Sequence, residues 1–219
     1  MRRNLRFWAR YTWEGMQVVV LVLAILLVLS AVGASRLELA ALATSAPAYL
    51  LLAAGMTIIM LNYSAQALYT PLLLSMGETR RNIFLGYHFY RALIIAVAVG
   101  LSALIWALVP GEIARLGLRN IPSILAILVI VSALGGIIGT LYAKWRGAAT
   151  VMLVVVFGIL GGVGGFSFAG GGEDVARLVE RAASTLAEFP WWLMLAAVGA
   201  LALDVCFQWL LLRRQEARL

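Results

Sequence analysis

Charge is scarce in this chain: Asp, Glu, Lys and Arg make up 12% of its 219 residues, against 63% hydrophobic ones. A soluble domain carries about twice that share of charge. There is one Cys, Cys206, one His, His88, and one Lys, Lys144. Each scarcity excludes a chemistry. A lone thiol builds no internal disulfide framework, and one His with one Cys cannot supply the clustered ligands of a zinc or iron site. The single Lys lies between Tyr142 and Arg146, so no GxxxxGK[ST] phosphate loop exists and ATP is not hydrolysed by that route. Neither a catalytic triad nor a paired-carboxylate centre is visible; an enzyme would have to use His88 with a serine that the sequence does not place. No catalytic residue, metal ligand or cofactor is therefore assigned to this chain.

What is present is apolar length. Six stretches approach the roughly 20 residues that a helix needs to cross about 30 Å of hydrocarbon, whereas barrel strands would be about 10 residues long and strictly alternating. A mean hydropathy of +0.98 agrees. The expectation is a single all-α integral membrane domain over residues 1–219. Its spans read Met16 to Ala34, Ala48 to Leu74, Ile83 to Val109, Ile121 to Ala143, Ala148 to Phe168 and Pro190 to Leu212. The second should leave the membrane or bend near Pro71, which lacks a helical N–H. The fifth ends in a glycine-dense run that is a weak helix former.

Orientation follows from the basic residues, which are retained on the cytoplasmic side during insertion. One face collects twelve: Arg2, Arg3, Arg6, Arg10, Arg80, Arg81, Arg91, Lys144, Arg146, Arg213, Arg214 and Arg218. The other has five, Arg36, Arg115, Arg119, Arg177 and Arg181, mixed with acidic residues. Both termini are expected inside. The formal charge of +7 is thus a topology signal spread over four inner segments, and no nucleic-acid partner is inferred from it.

Residues 1–15 place Arg3, Arg6 and Arg10 on one helical face and Leu5, Trp8 and Thr12 on another, the pattern of a helix lying in the membrane interface against anionic lipid. A plain basic anchor for the first span is the simpler alternative. A secretory signal ending at Val32-Gly33-Ala34 is disfavoured by the length of the apolar run. On the outer side, residues 170–188 read as a short amphipathic helix. Glu173 and Asp174 open it, and Val175, Leu178, Val179, Ala182 and Leu186 follow at helical spacing. It is either a lid or a connector resting on the lipid.

The inner segment 75–86, Ser75-Met-Gly-Glu-Thr-Arg-Arg-Asn-Ile-Phe-Leu-Gly86, forms a basic elbow between the second and third spans. Together with the interfacial helix, the six spans and the outer insertion, it resembles the ATP-binding cassette type-2 permeases, especially small bacterial exporters of antibiotics or peptides. The mechanotransmitting permeases share a Gly-x-x-Arg-Arg elbow, but normally have four spans and a large outer domain. The type-2 resemblance implies a bacterial cell-membrane protein, a partner ATPase subunit that carries ATP and Mg, and a second permease copy or homologue. It also implies that Gly77, Glu78, Arg80, Arg81 and Phe84 form a coupling elbow, with both arginines facing the ATPase and Phe84 as an apolar anchor. The residues alone equally admit a basic loop that only fixes topology. A six-span vitamin-uptake-like binding subunit and a structural or immunity membrane protein are the competing classes.

Within the spans, Asp204 is the outlier, about nine residues or ~13 Å before Arg213. An unpaired charge in hydrocarbon costs roughly 2.5–3.5 kcal/mol even on the lenient scale, so it should face the bundle interior or a dimer interface. Candidate partners are Asn62 and Gln66, or Tyr87, His88 and Arg91; with Tyr69, these polar groups line either a translocation path or an interhelical clamp. Gly135 with Gly139, Gly158 with Gly162 and Gly161 with Gly165 give the small-x-x-x-small spacing of close helix packing on the fourth and fifth spans.

The charge asymmetry predicts that, with Cys206 replaced, a cysteine at Ser184 reacts with an impermeant maleimide added to intact cells and one at Ser75 does not. Labelling at Ser75 reverses the orientation of the whole bundle.

Overall fold

Lipid offers no partner to a backbone N–H or C=O, so each apolar run satisfies its own backbone by coiling. The computed structural model describes residues 2–33, 53–108, 119–142, 144–168 and 191–214, and among them every regular element is helical. They are α1 (Arg2–Gly33), α2 (residues 53–75), α3 (Arg80–Leu108), α4 (Ile121–Tyr142), α5 (Arg146–Phe168) and α6 (Trp191–Arg214). Three stretches are long and apolar enough to cross a bilayer: Arg80–Leu104, Ile121–Tyr142 and Trp191–Leu210, of 25, 22 and 20 residues. At ~1.5 Å per residue they reach roughly 38, 33 and 30 Å, matching the hydrocarbon core. This is an all-helical membrane protein with three candidate spanning helices among the described residues.

Several elements differ from the expectation. Residues 2–15 are the first half of α1 and run without a break into the apolar stretch, so the interfacial helix is no element of its own. The glycine-dense end of α5 stays helical to Phe168. The elbow is shorter than 75–86, because α3 already begins at Arg80. The expected outer helix at 170–188 lies outside the described residues.

Proline in α2 is accommodated by a turn of π-helix, Ala65–Tyr69, placed just before Pro71. The N–H of Thr70 bonds the Ala65 carbonyl, and the Thr70 hydroxyl lies 3.0 Å from the same oxygen and 3.3 Å from Gln66 Oε1. The extra residue widens the backbone where the proline ring would otherwise crowd the preceding turn.

α4 is the axis of the bundle. Its neighbour α2 runs parallel to it, since Ile59 meets Gly135 and Tyr63 meets Gly139. α6 is parallel too, with Ala126 packed against Leu193 and Ala197, and Gly136 against Asp204 and Gln208. Asn62 Nδ2 donates to Ser132 Oγ at 3.0 Å, linking α2 to α4. The Gly135–Gly139 seam therefore lies within one chain, where it removes the side chains that would hold α2 away. A methyl group on Gly139 would fall 2.7 Å from the Tyr63 carbonyl oxygen, and one on Gly135 2.8 Å from that of Ile59. Gly158 on α5 meets nothing within 4 Å.

Because backbone atoms cannot step aside, Gly139→Ala should lower stability in detergent by about 1–3 kcal/mol, the usual cost of overpacking, while Gly158→Ala leaves it unchanged. Thermal unfolding of the two variants side by side is the measurement. Equal melting temperatures would remove the close α2–α4 approach.

Candidate functional site

Two sets of residues carry chemistry, a buried polar cluster between α3, α4 and α6 and the elbow between α2 and α3.

The cluster is built on Asp204, which is fully buried. Its Oδ2 accepts from Arg91 Nη1 on α3, and its Oδ1 accepts from Gln208 Nε2 one turn below at 2.8 Å. Arg91, 2% exposed, also directs Nη2 at the Val129 carbonyl of α4 at 3.4 Å. Gly136 makes the space: a methyl group there would fall 2.6 Å from Asp204 Oδ1 and 2.9 Å from both Gln208 Nε2 and Tyr87 Oη. The Tyr87 hydroxyl in turn lies beside Gln208 and Gln66, which extends the polar contacts to α2. Asn62, the other α2 candidate, is engaged elsewhere, with Ser132 and the Ile58 carbonyl. Within the cluster Arg91 Nε, Gln208 Oε1 and Tyr87 Oη form no hydrogen bond among the described residues, and neither does Asn62 Oδ1 one helix away.

Of the candidates that the sequence names, Asp204, Arg91, Tyr87 and Gln66 come together, while Asn62 stands one helix away. Arg91 belongs to the buried pair, so the charge asymmetry expected from the sequence becomes eleven against five. Gln208, Gly136 and Ser132 were missed. Gln208 had a readable signal, a second polar residue four positions after Asp204 in an apolar helix. His88 faces Phe84, with ring centroids 4.4 Å apart, and lies outside the ion pair.

The elbow is a Schellman turn followed by a capped helix. Gly77 has φ +81°, a left-handed conformation that costs glycine nothing. Its N–H bonds the Leu74 carbonyl at 3.1 Å, and the N–H of Glu78 bonds that of Leu73 at 3.1 Å, closing the end of α2. Thr79 then caps α3 by accepting from the Asn82 N–H at 3.3 Å. Thr79, Arg80 and Arg81 are exposed, as are Met76 at 57% and Leu85 at 45%. Phe84 is turned the other way: its ring packs edge-on against Trp209 of α6, centroids 5.3 Å apart. Phe84 thus holds α3 to α6, and the exposed apolar side chains of the elbow are Met76 and Leu85.

An aromatic group packs behind the cluster, where Trp8 meets Tyr87 edge-on at 6.2 Å. Trp8 of α1, fully buried, stacks on Tyr90 at 5.5 Å, and Tyr11 meets Tyr90 at 5.2 Å and Tyr69 at 4.9 Å. Tyr11 Oη also donates to the Leu61 carbonyl at 3.0 Å. The sequence pattern puts Trp8 on one face of an interfacial helix; the structure buries it in the core.

Compared with family models, curated proteins and solved structures, the chain matches none.

The geometry makes Asp204→Asn severe, although the amide is nearly isosteric, because it strands the Arg91 guanidinium in the interior. Asp204→Asn, Asp204→Leu and Arg91→Met should each cost about 3–5 kcal/mol, and the double variant Arg91→Met/Asp204→Leu should recover most of the loss of its two singles. A double-mutant cycle read by thermal unfolding in detergent checks it. Simple addition of the two single losses would show that the groups do not act as a pair.

Proposed function

We propose that this chain is the transmembrane subunit of a bacterial ABC exporter of the type-2 permease kind. In this reading α1 to α6 are six spans with both termini in the cytoplasm. A separate ATPase subunit, binding ATP and Mg, drives a hydrophobic or amphipathic substrate across the cell membrane. A second permease copy, or a homologous permease, completes the translocator.

The elbow carries the reading. A chain without a phosphate loop needs a mechanical handle, and this one has two helices closed rigidly on each other by the Gly77 turn and the Thr79 cap. At its tip, exposed Arg80 and Arg81 stand beside exposed Met76 and Leu85. Guanidinium forks for carboxylates together with an apolar anchor are what a groove on another protein captures. The handle is also joined to the buried cluster, since Arg80 and Arg91 belong to one unbroken helix. Between that cluster and the elbow, Phe84 ties the helix to α6.

Replacing Met76, Arg80 and Arg81 together by Ala should leave the bundle folded and release the ATPase. Loss of an anchor and two paired charges weakens a complex by roughly a hundredfold or more. Phe84→Ala should instead lower the stability of the bundle, because its ring is packed inside the chain. The test is co-purification of an ATPase subunit with the unmodified chain and with the triple variant in mild detergent, with transport measured in parallel. If the triple variant keeps both, or the unmodified chain recruits no ATPase, the exporter reading fails. Tight binding of a small ligand without an ATPase would then favour the uptake-type subunit, and the absence of both a structural or immunity protein.

A further inference from the structure

The two sides of the bundle disagree about where the inner membrane surface lies. On α6, apolar sequence continues past Asp204 to Leu212, and Arg213 follows nine residues, or roughly 13 Å, beyond Asp204. On α3, Arg80 lies ten residues, or roughly 15 Å, below Tyr90. These basic ends set one level. On α1, however, Tyr11 is clamped at the height of Tyr90, and neighbouring Arg10 is held at that height with it. Arg10 therefore stands roughly 13–15 Å inside the level marked by the other two helices.

α1 turns a polar stripe outward at this depth. Arg6, Arg10, Glu14 and Gln17 are all exposed on the face opposite the buried Trp8, Tyr11 and Gly15. Trp13 is 67% exposed beside them, and the stripe continues above as exposed Val20, Leu21 and Ile25. Arg10 is partly neutralised by Glu14, Nε to Oε1 at 3.0 Å; Arg6 meets no carboxylate among the described residues. α1 cannot slide down to place these groups in water, because Trp8 is buried against Tyr87 and Tyr90. At that depth Arg10 has only Glu14 as counter-charge among the described residues, and Arg6, four residues or roughly 6 Å nearer the surface, meets none; a phosphate brought across the two lowers the cost of both by charge-assisted, bidentate hydrogen bonding.

We propose that the Arg6–Arg10 face of α1 is a binding groove for the phosphate of a membrane phospholipid, so that the inner leaflet steps upward along this side of the bundle. The headgroup phosphate lies across Arg6 and Arg10, Gln17 supplies a neutral donor above them, and Trp13 packs against the glycerol region. Acyl chains run along Val20, Leu21 and Ile25. The proposal stands independently of the exporter reading; it rests on the aromatic clamp of α1 and on the expected orientation, with the basic ends of α3 and α6 on the inner side.

Native mass spectrometry of the purified full chain in mild detergent, titrated with dioleoyl phosphatidylglycerol, tests it. The unmodified chain should hold the lipid at least tenfold more tightly than Arg6→Gln/Arg10→Gln, with equal melting temperatures for both. Arg6→Lys/Arg10→Lys should fall between them, keeping charge while losing the fork. Arg146→Gln, an exposed basic residue on another helix, should change nothing. Equal lipid retention by the Gln double variant overturns the proposal, as does an equal loss in Arg146→Gln, which would mean general attraction. Equally tight binding of soluble glycerophosphoglycerol would also overturn it, by making the site one for free phosphate esters. If the Gln double variant loses self-association in place of lipid, the occupant is a second copy and the lipid assignment falls.

Discussion

The ion pair between Arg91 and Asp204 is the constraint around which the other contacts are arranged. A carboxylate and a guanidinium removed from water in this way are tolerable only when they meet each other and their remaining bonding positions are filled. That requirement fixes the rotation of α3 and of α6 about their axes, since each residue has one direction in which to find its partner. It also fixes α4, because the pair and Gln208 occupy volume that a side chain at position 136 would take. Gly136 is thus set by the charges, while Gly135 and Gly139, on the adjoining face, bring α2 up against the same helix. Polar matching on one side and small-residue packing on the other make α4 the axis, in an environment where apolar surface gains little from being buried between helices.

Membrane character and the limits of most helices were legible because they depend on composition and run length, which need no neighbours. The burial of Asp204 was legible for a related reason, that a carboxylate in the middle of an apolar helix has few tolerable surroundings. Its partner could be narrowed to a few residues and no further. Arg91, eleven positions into α3, carries the same local signature as an arginine near a membrane surface, and the difference arises only when α6 is laid beside it. Trp8 misled for the same reason. Aromatic residues near a basic terminus serve equally as interfacial anchors and as core, and here Tyr87 and Tyr90 of a distant segment decide in favour of core. Phe84 is a third instance: its apolar ring suited a partner's groove until Trp209 supplied a nearer one. In each case a short motif fixes the type of residue and tertiary packing fixes its direction.

The elbow shows the converse, a feature whose geometry follows from local sequence almost completely. Gly77 supplies the left-handed residue, Thr79 the cap, and the interval between them is too short for any other closure. The two helices that it joins differ in stiffness. α3 runs from Arg80 through Arg91 without interruption. α2 passes through the π turn at Ala65–Tyr69 before it reaches Asn62. A π turn holds one residue more than an α turn, and returning it to α geometry would rotate everything on one side of it relative to the other by about a hundred degrees. Gln66 lies inside that turn and Thr70 closes it, so the α2 edge of the polar cluster is built on the one irregular stretch of the helix.

On the exporter reading, a displacement of the elbow would therefore reach the bundle by two unequal routes. Through α3 it is delivered to Arg91 as movement of a rigid rod roughly 16 Å long, with Phe84 carrying α6 along at its base. Through α2 it meets the π turn first, where a change of hydrogen-bond register can absorb it. The consequence is shear between α2 and α3, across the contact of Tyr87 with Gln66 and the clamp of Tyr11 on Tyr69 and Tyr90. The ion pair would be spared, because both helices that own its charges move together. A buried pair that stays closed while its surroundings shear keeps the cost of an exposed charge out of the cycle. On that reading Asp204 would serve as a clamp, and the moving surface would be left to α1 and α2.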